Sequence, residues 1–96
     1  MFEKDLDAIK REFAEIEARL ASGGLKPEEI EKFSRRHAAC RLVLDTSAAL
    51  EKAAREAEDT RQMVSSTDTE IAGLAAAELP ALEANAAALA KKLQLL

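Results

Sequence analysis

The chain has 96 residues, the length of one domain, of which 48% are apolar and 33% charged, with a formal net charge of −4. Alanine and leucine dominate the apolar share, and three Phe stand beside no Trp or Tyr, a balance typical of coiled coils and long helices. The mild acidity without blocks of like charge gives no compositional reason to expect nucleic-acid or membrane contact, and the lone Cys40 excludes an intramolecular disulfide or a metal site built on paired cysteines.

The first twenty residues carry Phe2, Leu6, Ile9, Phe13, Ile16 and Leu20 at spacings of 4 and 3. That is the stripe of a packed or coiled helix, predicted over about 2–21. Asp7 with Arg11 and Glu15 with Arg19 place acid before base at i,i+4 on its outer face. Ser22-Gly23-Gly24 ends it, because glycine accepts the left-handed conformation that closes a helix C-terminus. No basic-then-apolar leader opens the chain and no apolar run approaches the roughly 20 residues of a membrane span, so the sequence reads as cytoplasmic with no membrane partner.

Pro27-Glu28-Glu29 begins a second helix: proline suits the first turn and the glutamates suit the positive end of the dipole. No breaker follows before Ser65-Ser66, so the helix is predicted over 27–64, about 57 Å long. Its stripe changes phase, from Ile30, Phe33, His37, Cys40 and Leu44 to Val43, Leu50, Ala57 and Val64 flanked by Ala54. The two halves should therefore face different neighbours.

Thr67-Asp68-Thr69-Glu70 has the form of a capping box with Thr67 as the cap. A third helix, over about 68–95, should bury Ile71, Leu74, Leu79, Leu82, Ala86, Leu89, Leu93 and Leu96. Pro80 falls inside it, at a cost of roughly 3 kcal/mol; a kink or a break is expected there, and the unshifted leucine pattern favours a kink. The first helix, about 30 Å, and the third, about 42 Å, can each cover only part of the second. Short connections make both antiparallel to it. The expected fold is all-α: an elongated, coiled-coil-like antiparallel three-helix bundle with a long central helix, in a single domain over 1–96. Burial of Phe13 or Phe33 would make its replacement by Ala cost roughly 3–5 kcal/mol. Thin ends would leave apolar surface exposed, favouring self-association or docking onto a partner.

Candidate chemistry is sparse. His37 and Cys40, at i,i+3, could form a metal or nucleophile–base pair, but no third ligand is near in sequence and both lie on the inward stripe. A seam-edge histidine and a small buried thiol are the simpler account. Arg35, Arg36 and Arg41, with His37 among them, could contact a partner or rRNA, whereas pairing of Glu31 with Arg35 and of Arg41 with Asp45 would make them a solvated face. Glu28-Glu29 and Glu58-Asp59 lie at helix ends or on polar faces, and no pocket is expected. No catalytic residue, cofactor site or metal site is predicted, and the residues alone describe an interaction module rather than an enzyme.

Three stretches resemble bacterial class I peptide chain release factors. These are the opening Met-Phe-Glu-Lys with its 4-3 stripe, the segment Phe33-Ser34-Arg35-Arg36-His37-Ala38, and Glu70 to Leu96 with Ala77-Glu78-Leu79, Leu82-Glu83 and the terminal Leu93-Gln94-Leu95-Leu96. The ending is more similar to the factor reading UAA and UAG than to its UAA/UGA paralogue. Arg36 stands where the family usually has an acid, the first inter-helix loop is short, and Pro80 interrupts a normally smooth helix. The resemblance implies the factor's N-terminal helical module, a fragment of a longer chain, reaching toward the ribosomal stalk base and the GTPase release factor. The codon-reading tripeptide and the Gly-Gly-Gln loop of such factors lie in other domains, so no functional residue carries over from them. The alternative is a self-contained helical adaptor or coiled-coil interaction protein.

Overall fold

A computed structural model describes residues 5–96; Phe2 of the first stripe and the Met-Phe-Glu-Lys opening lie outside the described residues. The described residues form three helices and no strand: α1 over Leu6–Ser22, α2 over Pro27–Met63 and α3 over Thr69–Leu95. The fold is all-α, a three-helix arrangement in which α2 is the long element. The chain divides into a first compact unit ending at Asp45 and a second running from Thr46 to Leu96.

Each helix start has a chemical reason. Asp5 caps α1, its Oδ1 accepting from the Ala8 amide at 3.0 Å. At α2 the Glu29 side chain reaches back to accept from the Lys26 amide at 3.2 Å, the return half of a capping box, with Pro27 in the first helical position. At α3 the cap is Asp68, not Thr67: its Oδ1 accepts from the Glu70 and Ile71 amides at 3.0 and 3.3 Å. The carboxylate brings a full negative charge to the helix N-terminus, which a hydroxyl cannot.

The exit from α1 also differs from expectation. Gly23 has φ 75° and ψ −173°, and Gly24 again has φ 75°. The Gly23 backbone is extended with positive φ rather than left-handed helical, a region open essentially to glycine alone. Nothing lies within 4 Å of a Cβ at either position, so the requirement for glycine is conformational and not steric.

In the first unit α1 runs antiparallel to the start of α2. Glu12 reaches Cys40, Phe13 meets His37 and Arg19 meets Phe33, so positions rise on one helix as they fall on the other. Leu6, Ile9, Phe13, Ile16 and Leu20 all turn inward, as their spacing predicts, although only Ile16 is fully buried. On α2 the facing stripe is Phe33, His37 and Cys40; Ile30, expected with them, is 45% exposed.

In the second unit a five-residue turn, 64–68, returns the chain against the later part of α2. Thr46, Ala53, Ala57 and Thr60 are buried on α2, with Leu50 half-buried among them, spaced 4-3-4-3. On α3 the inward line is Ala72, Ala75, Leu79, Leu82, Ala86, Leu89 and Leu93. Five expected core positions are thereby corrected: Ala54, Val64, Ile71, Leu74 and Leu96 are exposed, Leu74 by 61%. The contact line runs over small residues, which let helix axes approach closely, and the bulkier side chains one position away point outward. Burial along α2 widens at Val43, Leu44, Thr46 and Ser47, where one stripe gives way to the other. The phase change has this local origin. Helix α3 continues without a break through Pro80.

Candidate functional site

The side chains with chemical potential gather where α1 crosses the first turns of α2. Glu12, on the second turn of α1, accepts two hydrogen bonds from the Arg36 guanidinium, both at 2.7 Å, and a weaker one from the Cys40 thiol at 3.8 Å. A two-pronged guanidinium–carboxylate bond holds both side chains in one plane and matches the register that the buried Ile16 and Cys40 set between the two helices. At the next residue of α1, the Phe13 ring stacks on His37 with centroids 4.3 Å apart and planes 18° from parallel. Glu17 lies 3.7 Å from His37 Nε2. Arg19 places its guanidinium 5.3 Å above the Phe33 ring, within reach of a cation–π attraction.

The electrostatics follow from this packing. The Arg36 hydrogen bonds hold the Glu12 carboxyl below its ordinary value of 4.5, the thiol of Cys40 helping by donating to it. Arg36 is pushed up in turn, first by its bonds to Glu12. Burial raises the Cys40 thiol, and the neighbouring Glu12 adds to the rise. A buried thiol held protonated beside a carboxylate is the reverse of an activated nucleophile.

The three arginines singled out in the sequence are not all brought together. Arg35 and Arg36 both line one groove, whereas Arg41, at about 100° per residue, points to another side of α2. Arg35 is held by Glu31 at 2.6 Å and Arg36 by Glu12. Arg41 is exposed, and among the described residues its expected pair with Asp45 is not formed. Sequence reasoning missed Glu12 as the partner of Arg36. The two are 24 positions apart, and helical spacing alone does not set cross-helix register.

The linkage of Glu12 has a definite sign. A carboxylate whose folded value is depressed stabilises the fold above its unfolded value and ceases to as pH falls through the folded one. Acidification below pH 4.5 should therefore weaken the α1–α2 pairing, and Glu12→Gln should flatten that acid limb while leaving the neutral-pH fold intact. Urea unfolding midpoints between neutral pH and pH 3 check this; parallel curves for the two proteins would show that the pair contributes nothing.

A groove of about 880 Å³ opens beside the Glu12–Arg36 pair, with Ile16, Phe33 and Ala39 as its apolar lining. None was expected from the sequence. Among the described residues no group of three or more His, Cys, Asp or Glu could hold a metal ion, and no helix is long and apolar enough to cross a membrane. The arrangement is suited to holding another surface.

Comparison with known proteins gives one result. The family model described as the PCRF domain matches residues 9–96. Neither curated proteins nor solved structures give a match. The matched stretch takes in all of α2 and α3 and most of α1, so the chain belongs to the PCRF domain family and is an N-terminal domain of the class I peptide chain release factors, which act in translation termination.

Proposed function

We propose that this chain is a docking module of a ribosome-acting release factor, placing the factor against the stalk base and the GTPase release factor without chemistry of its own. The PCRF match over residues 9–96 carries the reading. The site agrees with it: its polar residues are tied into cross-helix contacts, and beside them lies an open apolar groove. The module works in the cytoplasm as one part of a longer factor whose other domains read the codon and promote hydrolysis. The terminal Leu93-Gln94-Leu95-Leu96 supports the UAA/UAG-reading type.

Co-sedimentation with purified ribosomes tests the docking role. The 96-residue chain should pellet with ribosomes and slow GTPase-driven recycling of an intact class I factor, while releasing no peptide from a termination complex. Failure to pellet would overturn the docking role, and peptide release by the chain alone would overturn its passivity. The factor encoded by the natural reading frame should release peptide at UAG and not at UGA; the opposite preference would overturn the subtype.

A further inference from the structure

Two helices cannot by themselves enclose a core, since each has an apolar stripe that needs a second layer. The pairing of α1 with the first turns of α2 shows the consequence: Ile16 and Cys40 are buried, but Phe33 is only partly buried, at the edge of the groove. We propose that this groove is the docking site for an acidic amphipathic helix of a protein partner. The inference names the chemistry of the surface that the module engages, and for the partner's place on the ribosome it rests on the function proposed above.

The shape argues for a helix. The lining comes from α1 within 12–19 and from α2 within 32–39, so two antiparallel walls of equal length, about 10 Å or two turns each, flank one trough. A third helix laid in such a trough packs ridge into groove, presenting its own apolar residues at i, i+3 or i+4 and i+7. The Glu12–Arg36 bond, at 2.7 Å, holds the two walls in register before any partner arrives, which limits the ordering cost of binding.

Charge selects the kind of helix. Arg19, Lys32, Arg35 and Arg36 face the groove against only Glu12 and Glu15. Arg35 is tied to Glu31 and Arg36 to Glu12, so the excess comes from Arg19 and Lys32 against Glu15, a local reversal in a chain whose net charge is −4. A partner helix with Glu or Asp flanking its apolar stripe would meet complementary potential at the rim and apolar surface at the floor. An RNA backbone suits the site less well, because Glu12 and Glu15 would face phosphates and the Ile16–Phe33–Ala39 floor offers them nothing.

The test uses the complete 96-residue chain, isotope-labelled for NMR, and three probes. The first is a stapled helical peptide of about 15 residues, with Leu at i, i+4 and i+7 and Glu at the flanking positions. The second is the same peptide with Lys for Glu, and the third is a short oligouridine. The acidic peptide should shift resonances within 12–19 and 32–39, and the Lys version should bind at least about 10-fold more weakly. Arg19 and Lys32 are both exposed, so the variant Arg19→Glu/Lys32→Glu should keep its helicity yet lose about 10-fold or more in affinity for the acidic peptide. Equal binding of the two peptides, no binding of either, shifts centred on Ile71 and Leu74, or displacement of the acidic peptide by oligouridine would each overturn the proposal. Ribosome pelleting separates the two readings. If the double variant pellets as well as the parent chain, the groove proposal fails and the docking function stands. If the parent binds the acidic peptide in the groove but not ribosomes, the docking function fails and the groove stands.

Discussion

Replacing Pro80 by Ala should stabilise the second unit by about 2 kcal/mol. Helix α3 runs unbroken from Thr69 to Leu95, so Pro80 occupies a true helix interior. Its ring nitrogen has no hydrogen to give to the Ala76 carbonyl, and the ring crowds the preceding turn. The chain tolerates this because Ala76, Ala77 and Pro80 are all exposed: the orphaned carbonyl is on the water side and can be hydrated. That placement is why the expected gain falls short of the roughly 3 kcal/mol separating Pro from Ala in a helix interior. Thermal melts followed by circular dichroism are the measurement, with an upward shift on the order of 4–8 °C per kcal/mol for a domain of this size. Pro80→Gly provides the control. It restores the amide but adds backbone freedom, so it should gain about 1 kcal/mol less than Ala. If Ala gives no shift at all, residues 69–79 and 80–95 behave as two helices that meet at the proline, and the continuity of α3 is not what stabilises the unit.

How much of this was legible in the sequence depended on which physical signal each feature used. Gly23-Gly24, Pro27, Ser65-Ser66 and Thr67-Asp68-Thr69-Glu70 delimit the helices through backbone chemistry, and the structure's boundaries fall within a residue or so of the expected ones. The α1 stripe was legible for a different reason. Its inward positions are also its large apolar positions, so periodicity and packing agree from Leu6 to Leu20. In α3 they disagree. Ile71 and Leu74 are the residues any hydrophobicity reading selects, yet Ala72 and Ala75 face inward and the larger pair is exposed. A close helix contact is set by what fits between the axes, a property of the pair of helices and not of either sequence alone. The same limit hid the site. Glu31 with Arg35 could be read from i,i+4 spacing, whereas Glu12 with Arg36 needs the offset between α1 and α2, and so does the groove beside them.

Ile16→Ala should cost more stability than Phe33→Ala, in spite of the smaller side chain lost. Aromatic size alone would predict the reverse, at roughly 3–5 kcal/mol for a fully buried Phe. Burial decides between them. Ile16 is 5% exposed, set between the levels of the Glu12–Arg36 bond and the Arg19–Phe33 contact, so its truncation leaves a cavity that the two pinned helices cannot close. A loss of about 3 kcal/mol is expected, within the usual range for removing a buried Ile. Phe33 is only partly buried, under the Arg19 guanidinium. Its removal forfeits part of its apolar burial and a modest cation–π attraction, together about 1–2 kcal/mol, and opens a space that water can already reach. Urea unfolding of both variants at neutral pH gives the order directly through their midpoints at unchanged slope. A larger loss for Phe33 would mean that its ring is covered in solution by something more than Arg19, and self-association of the chain through the groove would then be the contact to look for, as a midpoint that rises with protein concentration.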